Sequence, residues 1–451
     1  MTDTPAFAFR QRWADMAGRI WHEAVAAVRP EHLMDGHVAR SGFTLSLGGR
    51  DSALRTLQRV IILAAGKAAP GMARGLLPYL DPSWGGLVVL PRGLRDSELM
   101  LPQLEAGHPV PDEAGLAAGL VWERFAAEAG PRDLLIVLLS GGASTLLADP
   151  APGLTLADLR ASTSALLASG VAIDSINTVR KHISRIKGGQ FAAFAAKAQV
   201  ATLVLSDVID DRLEVIASGP TVPDPSTFAE ALTIVESVMG RHPIPPAVLA
   251  RLTAGARGEI PETPKGNEDF WGRHHSACIG NRHTLLAAAQ KAAAAEGLTV
   301  QVQPTPLQGE AGPAGTTLVE TLRHLPAGAG PVCLLAAGET TVTLSTAAGR
   351  GGRCQELALA AAIALDGVPG LGLLAAGSDG IDGPTPVAGA WADGTTVLRA
   401  SANGHDAGRD LARHDSHQFF DATGGLWRPG PTGTNVGDLV VGLRWPTEPD
   451  S

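Results

Sequence analysis

Little in this chain is available for disulfides, metal clamps or aromatic clusters. Its three cysteines, Cys278, Cys333 and Cys354, stand far apart with no C-x-x-C spacing. Neither a disulfide framework nor a zinc site is expected, and a reducing cytoplasm fits. Aromatic side chains make up only 4% of the residues, which leaves Ala, Leu and Val to build the cores, as in helices packed over parallel strands. Basic residues are outnumbered, 36 Lys and Arg against 45 Asp and Glu, for a formal net charge of −9. A broad nucleic-acid surface needs a basic face, so no nucleic-acid partner is expected. The sequence opens with no charged-then-apolar leader and contains no run of about 18 apolar residues, so neither a signal peptide nor a membrane partner is expected. What remains is a chain of 451 residues, 45% hydrophobic and 18% charged. That composition belongs to soluble globular proteins, and the length allows two or three domains.

Residues 9–40 read as helix, with Trp13, Met16, Ile20 and Ala24 at helical spacing. Beyond them, short unbroken apolar runs alternate with Ala-rich helical stretches. The runs Val60–Ala65, Gly86–Leu90, Leu134–Leu139, Thr202–Leu205, Val332–Ala336 and Gly372–Ala375 are the expected strands. Strands of this kind are buried on both faces, and their alternation with helices implies parallel sheets. The Gly-, Pro- and charge-rich stretch 254–273 reads as a linker or an excursion between an N-terminal domain, 1–253, and a C-terminal domain, 274–446. The second domain opens on a strand–helix–strand unit: Ser276–Ile279, Asn281–Glu296 and Thr299–Gln303. The expected fold is therefore α/β in two domains: an N-terminal Rossmann-like, mostly parallel sheet with flanking helices, and a smaller C-terminal α/β domain.

Five of the apolar runs end in a small-residue turn carrying one chemically capable side chain. They deliver Lys67 (AAGKAAPG), Ser140 with Gly141 and Gly142 (SGGAST), Asp207 (SDVIDD), Glu339 (AAGET) and Asp379 (AAGSDG). Open parallel sheets bind ligands just beyond the carboxyl ends of their strands. Glycine there lets backbone N–H groups approach an anion closely. A lysine, several carboxylates and Gly-rich turns suit phosphoryl transfer, which needs charge clamps, a Mg²⁺ held by carboxylates and a positioned nucleophile. Each turn alone has a bland reading, as an exposed loop or a helix cap. Five on separate strands make a pattern.

Two further segments carry positive charge. NTVRKHISRIKGGQ (177–190) holds Arg180, Lys181, Arg185 and Lys187; helical spacing puts Lys181 and Arg185 on one face, and Lys187 reads as the solvated end of a helix before a glycine cap. GRGGRCQE (349–356) places Arg350 and Arg353 around glycines, which suits a loop that brings a guanidinium onto phosphate. No Walker loop and no protein-kinase motif set occurs. The G-x-G-x-x-A match Gly370-Gly372-Ala375 falls inside an expected strand and is no dinucleotide fingerprint. His274, His275, His414 and His417 lack ligand-like company and read as surface or linker histidines. GHPVPDEAG (107–115) reads as a Pro-fixed turn in which His108 either contacts substrate or is structural.

Taken in order, AAGKAAPGMA, GHPVPDEAG, SGGASTLL, NTVRKHISRIKGGQ, SDVIDDRLEVIASGPTVPDP, GETTVTL, GRGGRCQELALA, AAGSDGIDGPTPVAGAWAD and GPTGTNVGDLVV resemble the class II glycerate kinases across roughly residues 60–440. That family has an N-terminal glycerate-kinase domain and a C-terminal MOFRL domain. The resemblance implies ATP-dependent phosphorylation of D-glycerate at its 2-hydroxyl, with Mg²⁺, in an interdomain cleft. It implies Lys67, Asp207 and Arg353 as catalytic residues, with Asp207 either binding metal or accepting the glycerate hydroxyl proton, and Asp207 with Asp211 as metal ligands. Gly66, Ser140, Gly141, Gly142, Arg180, Lys181, Glu339, Asp379, Thr434 and Asn435 would contact substrate or nucleotide. Glycerate and ATP are the expected partners; a homodimer is compatible with this reading and not required by it. The sequence departs from the family pattern at Asp210, Cys354 and Gly437, where glycine, an amide and asparagine are usual. Relatives have also carried the label hydroxypyruvate reductase, the main rival reading. A non-catalytic binder of small carboxylates is the other.

Overall fold

The computed structural model describes residues 5–81, 84–325, 330–344 and 348–445, with side chains described from residue 11 onward. The chain divides into two compact units: residues 30–279, and residues 1–29 together with 280–451.

The first unit begins with a small antiparallel meander, β1 (Val38–Ser41), β2 (Thr44–Leu47) and β3 (Arg50–Ala53), where no strand was expected. Its main sheet contains β4 (Arg59–Ala65), β5 (Gly85–Pro91), β6 (Gln103–Ala106), β7 (Asp133–Leu139), β8 (Gln199–Leu205) and β9 (His274–Gly280). The spatial order is β6-β5-β4-β7-β8-β9, and β4 to β8 run parallel. The chain thus moves outward from β4 through β5 to β6, returns to β7 on the other side of β4, and moves outward again. The strand order reverses between β4 and β7, and such a reversal opens a crevice at the carboxyl ends of those two strands. All seven residues of β7 are buried, as a central parallel strand requires. The sheet packs on Trp122 and Phe191, whose rings lie 5.5 Å apart.

The second unit contains β10 (Thr299–Val302), β11 (Val332–Gly338), β12 (Leu371–Gly377), β13 (Gly389–Asp393), β14 (Leu426–Trp427) and β15 (Asp438–Arg444), in the order β10-β11-β15-β12-β13-β14. The expected strands are present, but this sheet is mixed rather than parallel. β15 lies between β11 and β12 and runs antiparallel to both. Its first residue, Asp438, therefore pairs with Gly338 and Gly377, the last residues of β11 and β12.

Four sequence expectations need correction. The N-terminal helix stops at Ala27, and a second runs from Pro30 to His37; Pro30 disfavours helical geometry at Arg29 and breaks the run. The first of these helices belongs with the C-terminal chain: Trp13 stacks on Trp445 at 5.0 Å, and the Trp21 indole donates to the Ala376 carbonyl at 3.4 Å. Residues 254–273 are no linker. Thr263 is buried and donates to Asp224, and Glu262 accepts from the Phe228 amide. The strand–helix–strand unit after 274 is split, since β9 joins the first unit's sheet while β10 joins the second's. A local pattern identifies a strand, but distant pairing partners decide which sheet takes it.

Candidate active site

In the first unit, the turns after β4 and β7 interlock. The Ser140 amide donates to the Ala65 carbonyl at 3.1 Å, the Lys67 amide to the Gly141 carbonyl at 2.9 Å, and the Ala68 amide to Ser140 Oγ at 3.0 Å. Gly66 adopts φ +130, and a Cβ there would lie 2.2 Å from Ser140 Oγ. Only glycine permits that approach. Ser140 is completely buried with its hydroxyl engaged; it braces the neighbouring turn rather than offering its side chain to a ligand. Gly142, at φ +90, is the other left-handed position. A Cβ on it would lie 3.0 Å from His108 Cδ2 and 3.8 Å from Lys67 Cγ. The structure therefore gathers Lys67, the 140–142 turn and His108 at the topological switch point. Burial, and then the nearby Lys67 ammonium, hold the His108 pKa below its ordinary value. His108 also lines a cavity of about 400 Å³ with Arg92, Asp112 and Arg160.

The segment 177–190 behaves differently from its sequence reading. Its helix ends at His182, so Arg185 lies outside it and pairs with Glu123. Lys181 is buried, with Nζ 3.0 Å from Asp224 Oδ1. Asp224 also accepts from Ser226 and Thr263. Lys181 is thus committed to an internal network instead of a ligand. Arg180 is half-buried, and burial lowers its pKa. Lys187 is buried, not solvated, and donates to the Leu147 carbonyl at 2.6 Å. Burial first, and Arg180 second, push its pKa down to about 7. No periodicity signals a buried lysine ahead of two glycines, so its burial was not legible in the sequence.

Asp207 and Asp211 occupy the loop after β8, the strand beside β7. Asp211 takes the left-handed conformation at φ +53, which aspartate tolerates better than most residues. The unusual Asp210 is exposed and paired with Arg212, Nε to Oδ2 at 2.5 Å. It is absent from the left-handed positions, so the departure from glycine imposes no such strain. Among the described residues, no group of three or more His, Cys, Asp and Glu could hold a metal ion. Magnesium does not need one, since it is usually held by one or two carboxylates together with substrate phosphates and water. The oxygen donors Asp207 and Asp211 fit that chemistry.

In the second unit, Arg353 opens the helix Arg353–Leu365. Its Nε and Nη2 bind the two oxygens of Asp438 at 2.7 and 3.0 Å, and Nη1 binds Glu339. Burial opposes the guanidinium charge, but Asp438 and Glu339 outweigh it, and the Arg353 pKa is raised. A Cβ on Gly377 would sit 3.3 Å from Asp379 Oδ1 and 3.4 Å from Asp438 Oδ1, so Asp379 joins the same cluster. Sequence reasoning found Glu339, Arg353 and Asp379 but missed Asp438. It stands in the TNVGDL turn, and the signal would have been a carboxylate at a strand start rather than a strand end. The same helix's first amides are taken by buried Asp382, which accepts from Cys354 at 3.1 Å and Gln355 at 2.9 Å. Burial raises the Asp382 pKa to about 6. Thr434 donates to the Val28 carbonyl at 2.6 Å and is buried; its hydroxyl anchors the N-terminal helix instead of a ligand. Asn435 is also buried, its side-chain oxygen 3.4 Å from the Gly437 amide. The histidines read as surface groups are engaged: His274 is buried with its pKa lowered to about 4 by burial, and His417 bonds Gln355.

A doubly wound sheet with glycine turns and a lysine at its switch point is the arrangement with which α/β proteins bind small anionic ligands. Residues 16–253 match the domain of unknown function DUF4147, and residues 332–438 match the MOFRL family. The chain is 36% identical to the glycerate 2-kinase of Pyrococcus horikoshii over 430 residues, 94% of this chain and 96% of that protein. It is 40% identical over 388 residues to an Agrobacterium vitis protein named "Putative hydroxypyruvate reductase", covering 84% of this chain and 98% of the relative. The crystal structure of glycerate kinase from Thermotoga maritima matches it with a TM-score of 0.82 at 36% identity, covering 96% of this chain and 100% of that one. The chain belongs to the class II glycerate kinase family.

Proposed function

We propose that the protein transfers the γ-phosphoryl group of ATP to the 2-hydroxyl of D-glycerate, giving 2-phosphoglycerate and ADP. The observation that carries this reading is the interlocked Gly66–Lys67 and Ser140–Gly142 turns at the switch point between β4 and β7. Left-handed glycines bring backbone N–H groups close to an anion, and Lys67 adds a positive charge beside them. Arg180 supplies a second cation in the same unit. Asp207 and Asp211 would hold Mg²⁺, which when bound neutralises phosphate charge.

Arg353 is the second unit's candidate for contacting a phosphoryl group, held in its own cluster. It is no spare charge, because Asp438 and Glu339 already balance it. Glu339 is the more exposed of these partners, 41% against 5% for Asp438. An incoming phosphoryl oxygen would therefore replace Glu339 at Nη1 while Asp438 keeps the guanidinium oriented. Asp379 and Asn435 shape the surroundings of that exchange.

The test is direct. Purified protein with ATP, Mg²⁺ and D-glycerate should release ADP, and the product should feed enolase, which accepts 2-phosphoglycerate and not the 3-isomer. Oxidation of NADH with hydroxypyruvate, and no ADP release, would replace the kinase reading with the reductase one. Glycerate binding without turnover in either mixture would leave the non-catalytic binder.

A further inference from the structure

We propose that His108 is the group that takes the proton from the acceptor hydroxyl, with the hydroxy acid lying in the cavity beside it. The inference rests on the kinase reading and names a residue that reading leaves unassigned.

Three observations converge on it. First, placement: one edge of the imidazole lies against Gly142, where a Cβ would come within 3.1 Å of Nε2. Gly142 is therefore required for a second reason besides its φ of +90, because any side chain there would displace the ring. Second, surroundings: Lys67 approaches the same glycine from the other turn, so the ring stands next to the cation assigned to the phosphates. Third, access: neighbouring atoms enclose part of the ring, but the residue keeps solvent-accessible surface and lines the cavity of about 400 Å³ that also holds Arg92, Asp112 and Arg160. Arg92 is paired with Asp112, and Arg160 Nε donates to the Pro111 carbonyl at 2.6 Å. A small carboxylate entering this cavity would meet two guanidinium groups. Its hydroxyl would meet an imidazole.

The charge balance around the ring favours a base. Lys67 faces it from the turn after β4, and the 140–142 turn presents no titratable group. Burial and Lys67 both disfavour the imidazolium, so the neutral ring, with a free lone pair, prevails at neutral pH. In the transfer step the hydroxyl gives its proton to an imidazole nitrogen as its oxygen forms a bond to the γ-phosphorus. The bond from that phosphorus to the β–γ bridging oxygen breaks, and ADP leaves with the electron pair. The imidazolium then returns its proton to solvent. Asp207 is left to its metal.

The experiment compares wild type with His108→Gln, after circular dichroism and thermal unfolding establish that the variant folds. The turnover number for D-glycerate at pH 7 should fall by about 100-fold, with the KM for ATP nearly unchanged. The wild-type kcat/KM for glycerate should decline on the acid side, below about pH 6.5, and that limb should vanish in the variant. Added imidazole should restore part of the activity of His108→Gly. Turnover within about threefold of wild type, or an acid limb that survives the substitution, overturns the inference. If both variants fail to fold, the wild-type profile decides: a kcat/KM with no acid limb down to the pH at which the protein itself unfolds rules out an imidazole base. A wild type that never phosphorylates glycerate sinks the kinase reading and this inference together. An active wild type with an unaffected variant sinks this inference alone.

Discussion

The two units present their polar residues in opposite ways. In the first, the residues assigned to the reaction sit on turns held by backbone hydrogen bonds, and Lys67 belongs to a frame closed by the amides of Lys67, Ala68 and Ser140. In the second, the chemistry is held by side chains: Arg353 is locked by Asp438 through two bonds and by Glu339 through a third. A cation on a backbone frame can be removed with that frame's own hydrogen bonds intact. One that neutralises a buried carboxylate cannot, because its partner is left uncompensated.

Substitutions can break or sharpen that contrast. The largest effect is expected for Lys67→Ala, which should reduce glycerate kinase turnover by about 1,000-fold while urea-derived stability stays within about 1 kcal/mol of wild type. A marked loss of stability would erase the distinction between the units. Arg353→Ala should lose about 100-fold in turnover and also about 2–3 kcal/mol in stability, since Asp438 is only 5% exposed. A variant as stable as wild type would show that the carboxylate cage carries no structural weight.

The frame itself is tested by Gly66→Ala. A Cβ 2.2 Å from Ser140 Oγ and 2.6 Å from the Ser140 carbonyl oxygen must force the turns apart, at a cost of about 3 kcal/mol in thermal or urea unfolding. Gly142→Ala should cost less, about 1–2 kcal/mol, because its nearest neighbour is a side-chain ring. Equal losses would mean that the two turns do not differ in how tightly their backbones meet.

The effect confined to a pH window concerns Asp382. Its folded pKa, about 6, lies above the ordinary carboxylate value of 3.8, so protonation favours the folded state. The stability this provides is complete below about pH 4 and lost as pH rises through about 6, amounting to at most about 3 kcal/mol. Asp382→Asn should remove that part of the pH dependence, read from unfolding midpoints between pH 4 and 7. Unchanged dependence would mean that Asp382 is not held in its protonated form.

How much could be read without coordinates follows the same division. The turns after β4, β7 and β8 were legible as turns, because a buried parallel strand is an unbroken apolar run and its turn follows at once in the sequence. The 177–190 segment was misread: helical spacing cannot tell Lys181, paired with buried Asp224, from a solvated lysine. Asp438 was missed because β15 enters its sheet antiparallel, delivering a strand's beginning where the neighbouring strands deliver their ends.

The sequence by itself determined the α/β class, the strands that end in the polar turns and the family, since these depend on local apolar runs and on motif order. Only the tertiary structure decided that the N-terminal helix packs with the C-terminal chain, that β9 leaves the segment that follows it, and that Arg353 answers to Asp438. Those facts rest on pairings between residues up to hundreds of positions apart. Burial and hydrogen bonding select such partners in space, and no periodicity along the chain records the selection.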